Sequence, residues 1–209
     1  MHTIETPMLF DSPRTLESLG IPDADIRFVH DFFVPLEAND YFKRLTTDTS
    51  WTQPVLRVWG KDHLQPRLSC WYGDPDAVYR FSGKTFRPHP WTPALQCIRH
   101  KIQGATGFHF NSVLLNLYRD GHDSIGMHSD NEPELGPMPV IASLSLGATR
   151  IFRLKHRHNA FAPVSIALSN GSLLIMAGQT QERWMHGVRK DTQDIGPRIN
   201  LTFRRILTA

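Results

Sequence analysis

The stretch Arg198-Ile199-Asn200-Leu201-Thr202-Phe203-Arg204 alternates polar and apolar side chains without a break. A period of two marks a β-strand, because successive side chains point to opposite faces. One face carries Ile199, Leu201 and Phe203; the other carries Arg198, Asn200, Thr202 and Arg204. The apolar face belongs against a core. Two arginines, an amide and a hydroxyl turned inward on the other face require an anionic partner, since an unpaired buried charge is costly. A bidentate arginine–carboxylate contact meets that need.

Upstream of this strand stand His186 and, earlier, His128-Ser129-Asp130. In an extended segment residues i and i+2 share a side, so His128 and Asp130 can reach one ion. Two histidines and one carboxylate occupy one face of an octahedron and leave the other open, the ligand arrangement of non-haem Fe(II) oxygenases. The triad alone is not specific. With 11 histidines in the chain a chance His-x-Asp is common, and zinc or manganese sites use the same side chains. What sharpens the reading is the interval after Asp130, long enough for several antiparallel strands, and the arginine-bearing strand that follows His186. Such a strand can hold a dicarboxylate beside the metal.

Further outward, short strands with turn signals are expected at 111–118, 139–146, 149–155, 164–168, 172–177, 184–188 and 198–206. Two helices precede them. Pro35 to Thr47 starts on a proline and offers Leu36, Phe42 and Leu45 to a core. Thr92 caps the second, Pro93 takes its first position, and Leu95, Ile98 and Ile102 form a stripe before Gly104. This order predicts an α+β, mainly β fold: a double-stranded β-helix, or jelly roll, with N-terminal helices packed on it. Residues 1–27, polar and without period, read as an arm, in part disordered. Residues 28–209 read as one catalytic domain, with helices and hairpins over 28–110 and the jelly-roll core over 111–209.

The chain has 209 residues and a net charge of +3, with a pI near 9.0, which permits a polyanionic partner without requiring one. Cys70 and Cys97 are in no metal-like spacing, and no apolar run reaches membrane-spanning length. A monomer with reduced cysteines is expected, cytoplasmic or nuclear (nucleoid if bacterial), without a membrane partner and not secreted.

Asn116-Leu117-Tyr118, His128-x-Asp130, His186 and Arg198-x-Asn200-x-Thr202-x-Arg204 together resemble the AlkB family of Fe(II)- and 2-oxoglutarate-dependent nucleic-acid demethylases. The likeness is greatest to the mammalian-type double-stranded-DNA repair branch and runs from Phe32 to Leu207. Val58-Trp59-Gly60-Lys61, Tyr79-Arg80-Phe81-Ser82-Gly83, Ile141 to Gly147 and Gly171 to Met176 agree with it. The resemblance implies Fe(II) on His128, Asp130 and His186, with 2-oxoglutarate and O2 as co-substrates. It gives Arg198 the distal carboxylate of 2-oxoglutarate, Arg204 the carboxylate next to the metal, and Asn116 and Tyr118 the rest of that pocket. Asn200 and Thr202 either join them or only stabilise the arginines. The implied reaction hydroxylates the N-methyl carbon of N1-methyladenine or N3-methylcytosine in DNA and releases formaldehyde. The same chemistry on RNA or single strands is the alternative. A non-catalytic nucleic-acid-binding module is a third reading, opposed by the intact triad and both arginines.

For the substrate, a base must leave its duplex and lie between flat surfaces. The resemblance places Tyr79 and Phe81 on one wall and the His128 ring on the other, although Tyr79-Arg80-Phe81 also reads as plain strand alternation. Glu132, with Asn131 where the family often has an acid, suits a cationic methylated base. Trp59, at a hairpin tip with Gly60 and Lys61, stands where the family inserts an apolar finger; covering an edge of the fold is its other reading. Arg150 to His158 and Arg189-Lys190 either track phosphates or form a solvated charged face.

Overall fold

The computed structural model describes residues 15–58, 61–81 and 84–207. The chain opens with strands Glu17–Ser18 (β1) and Asp25–Val29 (β2), followed by helix Pro35–Asp48 (α1). Two hairpins flank a longer strand: Val55–Val58 (β3) with Lys61–Leu64 (β4), then Leu68–Gly73 (β5), then Tyr79–Phe81 (β6) with Lys84–Phe86 (β7). Helix Pro93–Thr106 (α2) leads into Ser112–Tyr118 (β8) and Ile125–His128 (β9). A 3-10 turn at Pro133–Leu135 precedes Ile141–Gly147 (β10), Arg150–His156 (β11), Val164–Leu168 (β12) and Leu173–Ala177 (β13). One helical turn, Thr180–Arg183 (α3), then introduces Trp184–Val188 (β14) and Arg198–Arg204 (β15).

The strands form two facing sheets, in the orders β1-β2-β13-β10-β15-β8-β5 and β12-β11-β14-β9. This is the jelly roll expected from the sequence. Its two-residue period separates two cores. On one face of the large sheet, Val113, Leu115, Ala142, Leu144, Leu173, Ile199, Leu201 and Phe203 pack against Leu95, Ile98 and Ile102 of α2 and Leu45 of α1. On the other, Ile141, Leu174 and Met176 meet Phe152, Leu154, Ile166 and Trp184 of the small sheet. The polar face of β15 therefore looks between the sheets.

The N-terminal segment differs from the expected arm. Asp25–Val29 pairs along its whole length with β13, and Glu17–Ser18 pairs with β2. Buried Ile26 and Phe28 alternate across the 27/28 boundary, a period too short to stand out from the polar residues before it. Helix α2 also runs past Gly104 to end at Gly107, whose φ of 73° is the left-handed cap that glycine adopts without strain. Leu36 does not enter a core; it is 83% exposed in the first turn of α1, while Leu45 is buried. No helix among the described residues is long and apolar enough to cross a membrane.

Candidate metal and co-substrate site

His128 ends β9 and His186 sits in β14 directly opposite it, the two residues being Cα partners in the ladder. The register shifts between His186 and Val188. Gly187 permits this, because a Cβ there would meet the carbonyl oxygens of Gly126 and Ile125 at 2.9 Å. The two rings come within 4.5 Å of each other, and Asp130 follows from the loop after β9. One ligand atom from each of His128, Asp130 and His186 lies within 4.8 Å of the other two.

The hydrogen bonds around the triad point each group at that shared position. His128 Nδ1 is 2.9 Å from the carbonyl oxygen of Gly126, so Nδ1 carries the proton and Nε2 keeps its lone pair. Gln181, buried in α3 just before β14, accepts from the backbone N–H of Asp130 at 2.9 Å. Burial works against the Asp130 carboxylate, but Arg204, His186 and His128 outweigh it and hold its pKa below the usual range. Arg204 Nη2 donates to Asp130 Oδ1 at 2.6 Å. Arg204 thus pairs with the candidate metal-ligating carboxylate itself. Burial pushes His186 down to about 4, so its ring is neutral at pH 7.

This set fits a cation. His186 Nε2 stands 3.7 Å from Asp130 Oδ2, too far for a hydrogen bond, and His186 Nδ1 is buried without a hydrogen-bond partner. A neutral imidazole held beside a carboxylate with no proton shared between them is a pair that a metal ion would stabilise.

The face of β15 supplies the second half. Arg198 is 1% exposed. Its Nη2 donates to Ser145 Oγ and to Asn200 Oδ1, both at 2.9 Å, while Nε and Nη1 have no hydrogen-bond partner. Burial pushes its pKa down to about 10, which leaves it charged at neutral pH. Ser145 and Asn200 are neutral, so the guanidinium fits an incoming carboxylate. Asn200 is used up within the protein: its Oδ1 also accepts from Ser143 Oγ at 2.9 Å, and its Nδ2 donates to Thr202 Oγ1 at 2.7 Å. It braces Arg198. The Arg198 guanidinium lies 5.2 Å from the centre of the Tyr118 ring.

A cavity of about 600 Å³ joins the two halves, lined by the triad, Asn116, Tyr118, Arg198, Asn200, Thr202, Arg204 and Glu132. Asn131 is exposed and outside the lining. Trp59 and Gly60 lie outside the described residues, and Lys61, Tyr79 and Phe81 are described by backbone alone. Val58 pairs with Lys61, Tyr79 with Phe86 and Phe81 with Lys84. Arg67, Trp71, Phe86, Phe152 and Met176 also line the cavity, and sequence reasoning did not single them out. Nothing local marks Arg67.

Residues 25–204 match the 2OG-Fe(II) oxygenase superfamily. The alpha-ketoglutarate-dependent dioxygenase alkB homolog 3 of Bos taurus is 43% identical over 184 residues, covering 83% of this chain and 64% of that protein. The DNA oxidative demethylase ALKBH2 of Homo sapiens is 41% identical over 185 residues, covering 84% of this chain and 71% of that protein. The chain thus spans just under two thirds of the bovine relative's length. The solved structure of OsALKBH1 shares the fold, with a TM-score of 0.62 at 18% identity over 86% of this chain and 97% of that one. Triad, buried arginine and sequence likeness agree, and the chain belongs to the 2OG-Fe(II) oxygenase superfamily, among its AlkB homologues.

Proposed function

We propose that this protein is an Fe(II)- and 2-oxoglutarate-dependent oxidative demethylase that removes methyl groups from N1-methyladenine and N3-methylcytosine in DNA, taking the base flipped from a duplex. The observation that carries the reading is the buried, carboxylate-free Arg198 opening into the same cavity as His128, Asp130 and His186. A metal and a dicarboxylate are required together there. One chain supplies every residue of the site, which supports a monomer as the working unit. The free cysteines Cys70 and Cys97 suit a reducing cytoplasmic or nuclear compartment.

When bound, iron with 2-oxoglutarate and O2 supplies the oxidation of the methyl carbon, the co-substrate leaving as succinate and CO2. The protein's residues orient and exclude. Arg198 takes the distal carboxylate. Gly126 fixes the His128 tautomer, and Gln181 and Arg204 fix Asp130. Phe152 stacks on His186 at 5.1 Å, and Leu114, Ile125, Met176 and Val188 keep the cavity walls apolar. At the rim, the Glu132 carboxylate favours a base that carries positive charge, which N1-methyladenine does and adenine does not. Once its methyl carbon is hydroxylated, the base is restored by loss of formaldehyde.

The test is demethylation of matched single- and double-stranded oligonucleotides bearing one N1-methyladenine, with Fe(II), 2-oxoglutarate and ascorbate. Repair of the duplex by the wild type and none by His128→Ala is expected. Repair of single strands alone would replace the duplex by RNA or exposed DNA. No repair of either, with or without succinate release, would overturn the assigned substrate.

A further inference from the structure

Arg67 lies between β4 and β5, is 9% exposed, and lines the cavity beside Asn116. Its Nε donates to Asn116 Oδ1 at 2.9 Å and its Nη1 to the carbonyl oxygen of Ser124 at 3.2 Å. The N–H of Ser124 in turn donates to the carbonyl oxygen of the neighbouring Pro66 at 2.9 Å. Asn116 is on β8 of the large sheet, and Ser124 immediately precedes β9 of the small sheet, the strand that ends in His128. One side chain therefore connects the co-substrate wall to the strand that carries a metal ligand.

The chemistry of Arg67 fixes a choice that the shape of an amide leaves open. A guanidinium has only donors, so the Asn116 atom facing it is the oxygen. The amide nitrogen must then turn the other way. No hydrogen bond joins that Nδ2 to another described residue, and Asn116 lines the cavity. Asn200 is the contrast, with both ends of its amide engaged by protein. The two asparagines thus have different jobs, and only Asn116 offers the cavity a donor.

We infer that Arg67 is a positioning residue that turns the Asn116 amide so that its Nδ2 donates to the bound 2-oxoglutarate, and that locks β8 to the start of β9. The inference rests on the co-substrate reading above and adds to it a residue that never touches the reacting atoms.

The experiment measures 2-oxoglutarate binding by calorimetry, without oxygen, to full-length protein loaded with Mn(II), and Mn(II) affinity separately by electron paramagnetic resonance. Arg67→Met is expected to weaken 2-oxoglutarate about tenfold, the scale of one lost hydrogen bond, with Mn(II) affinity unchanged. Asn116→Ala should do the same, and the double variant should bind no worse than Asn116→Ala alone, because Arg67 acts through Asn116. Losses that multiply in the double variant would overturn the inference, as would wild-type binding by Arg67→Met. Should Arg67→Met fail to fold, Asn116→Asp decides the matter. It keeps an oxygen towards Arg67 but turns a second oxygen into the cavity, so it should fold and lose 2-oxoglutarate at least about tenfold. Normal binding by Asn116→Asp would refute the assigned orientation. Failure of the wild type to bind 2-oxoglutarate would instead overturn the co-substrate reading itself.

Discussion

Arg198 is a buried charge with room for an anionic partner. Its partners Ser145 and Asn200 are neutral, and its Nε and Nη1 are unsatisfied within the protein. Arg198→Met keeps much of the volume and removes the charge. It is expected to weaken 2-oxoglutarate by about 2 to 3 kcal/mol, the scale of a charge-assisted hydrogen bond, while metal affinity holds. Calorimetry with Mn(II) measures both; loss of metal as well would mean that Arg198 supports the triad instead. A second residue carries a pH dependence. Asp123 accepts from the Arg119 backbone N–H at 2.9 Å and from its guanidinium at 2.8 and 2.9 Å. Burial opposes its charged form, but these contacts outweigh it and hold the pKa below the usual value. A depressed folded pKa stabilises above the unfolded value and is lost as pH falls through the folded one. Asp123→Asn should therefore cost about 1 to 2 kcal/mol at pH 7 and progressively less below about pH 4, as read from urea unfolding. A gap independent of pH would assign the loss to packing. At this scale His128-x-Asp130 and the polar face of β15 were legible because each is a local two-residue spacing. Arg67 and Gln181 were not, since their partners lie 49 and 51 residues away in the chain.

Among the elements, β14 is the one whose geometry the chemistry depends on most. His186 faces His128 across the ladder only because the strand shifts register at Gly187, where β9 passes with no room for a side chain. Gly187→Ala would place a Cβ 2.9 Å from two backbone carbonyl oxygens, which cannot swing aside as a side-chain end can. It is expected to push β9 away from β14, cutting metal affinity about ten- to a hundredfold while leaving most of the fold intact. Unchanged Mn(II) affinity in that variant would show that the ladder absorbs the methyl group. Helix α2 provides a control far from the metal. Thr92 Oγ1 accepts from the N–H of Leu95, so Thr92→Ala should cost about 1 kcal/mol of stability and leave both ligands bound as before. The helices and the strands of the jelly-roll core were readable because caps, prolines and short periods are local signals. The N-terminal strand β2 was not, because it joins the sheet by pairing with β13, whose sequence is remote from it.

The molecule as a whole divides its two jobs between two cores. The face of the large sheet covered by α1 and α2 is mostly apolar, and its burial stabilises the fold without any ligand. The space between the sheets is mixed: Ile141, Leu174 and Met176 meet Phe152 and Trp184, but Arg198, Asn200, Thr202 and Asn116 occupy the rest of the large sheet's inner face. The candidate metal ligands His128 and His186 stand on the small sheet, whereas Arg198 stands on the large one. A metal together with a dicarboxylate would thus cross-link the sheets, which neither does alone. Anything that binds the native state adds RT ln(1 + [L]/Kd), about 2.7 kcal/mol at a hundred times Kd. Mn(II) alone is therefore expected to raise Tm modestly, 2-oxoglutarate alone scarcely at all, and the two together by more than the sum of their separate shifts. Differential scanning calorimetry of the wild type and Arg198→Met distinguishes the sources of that excess. The excess should vanish in Arg198→Met while the Mn(II) shift persists. Additive shifts in the wild type would mean that the two ligands bind independently and that the sheets are not joined through the site.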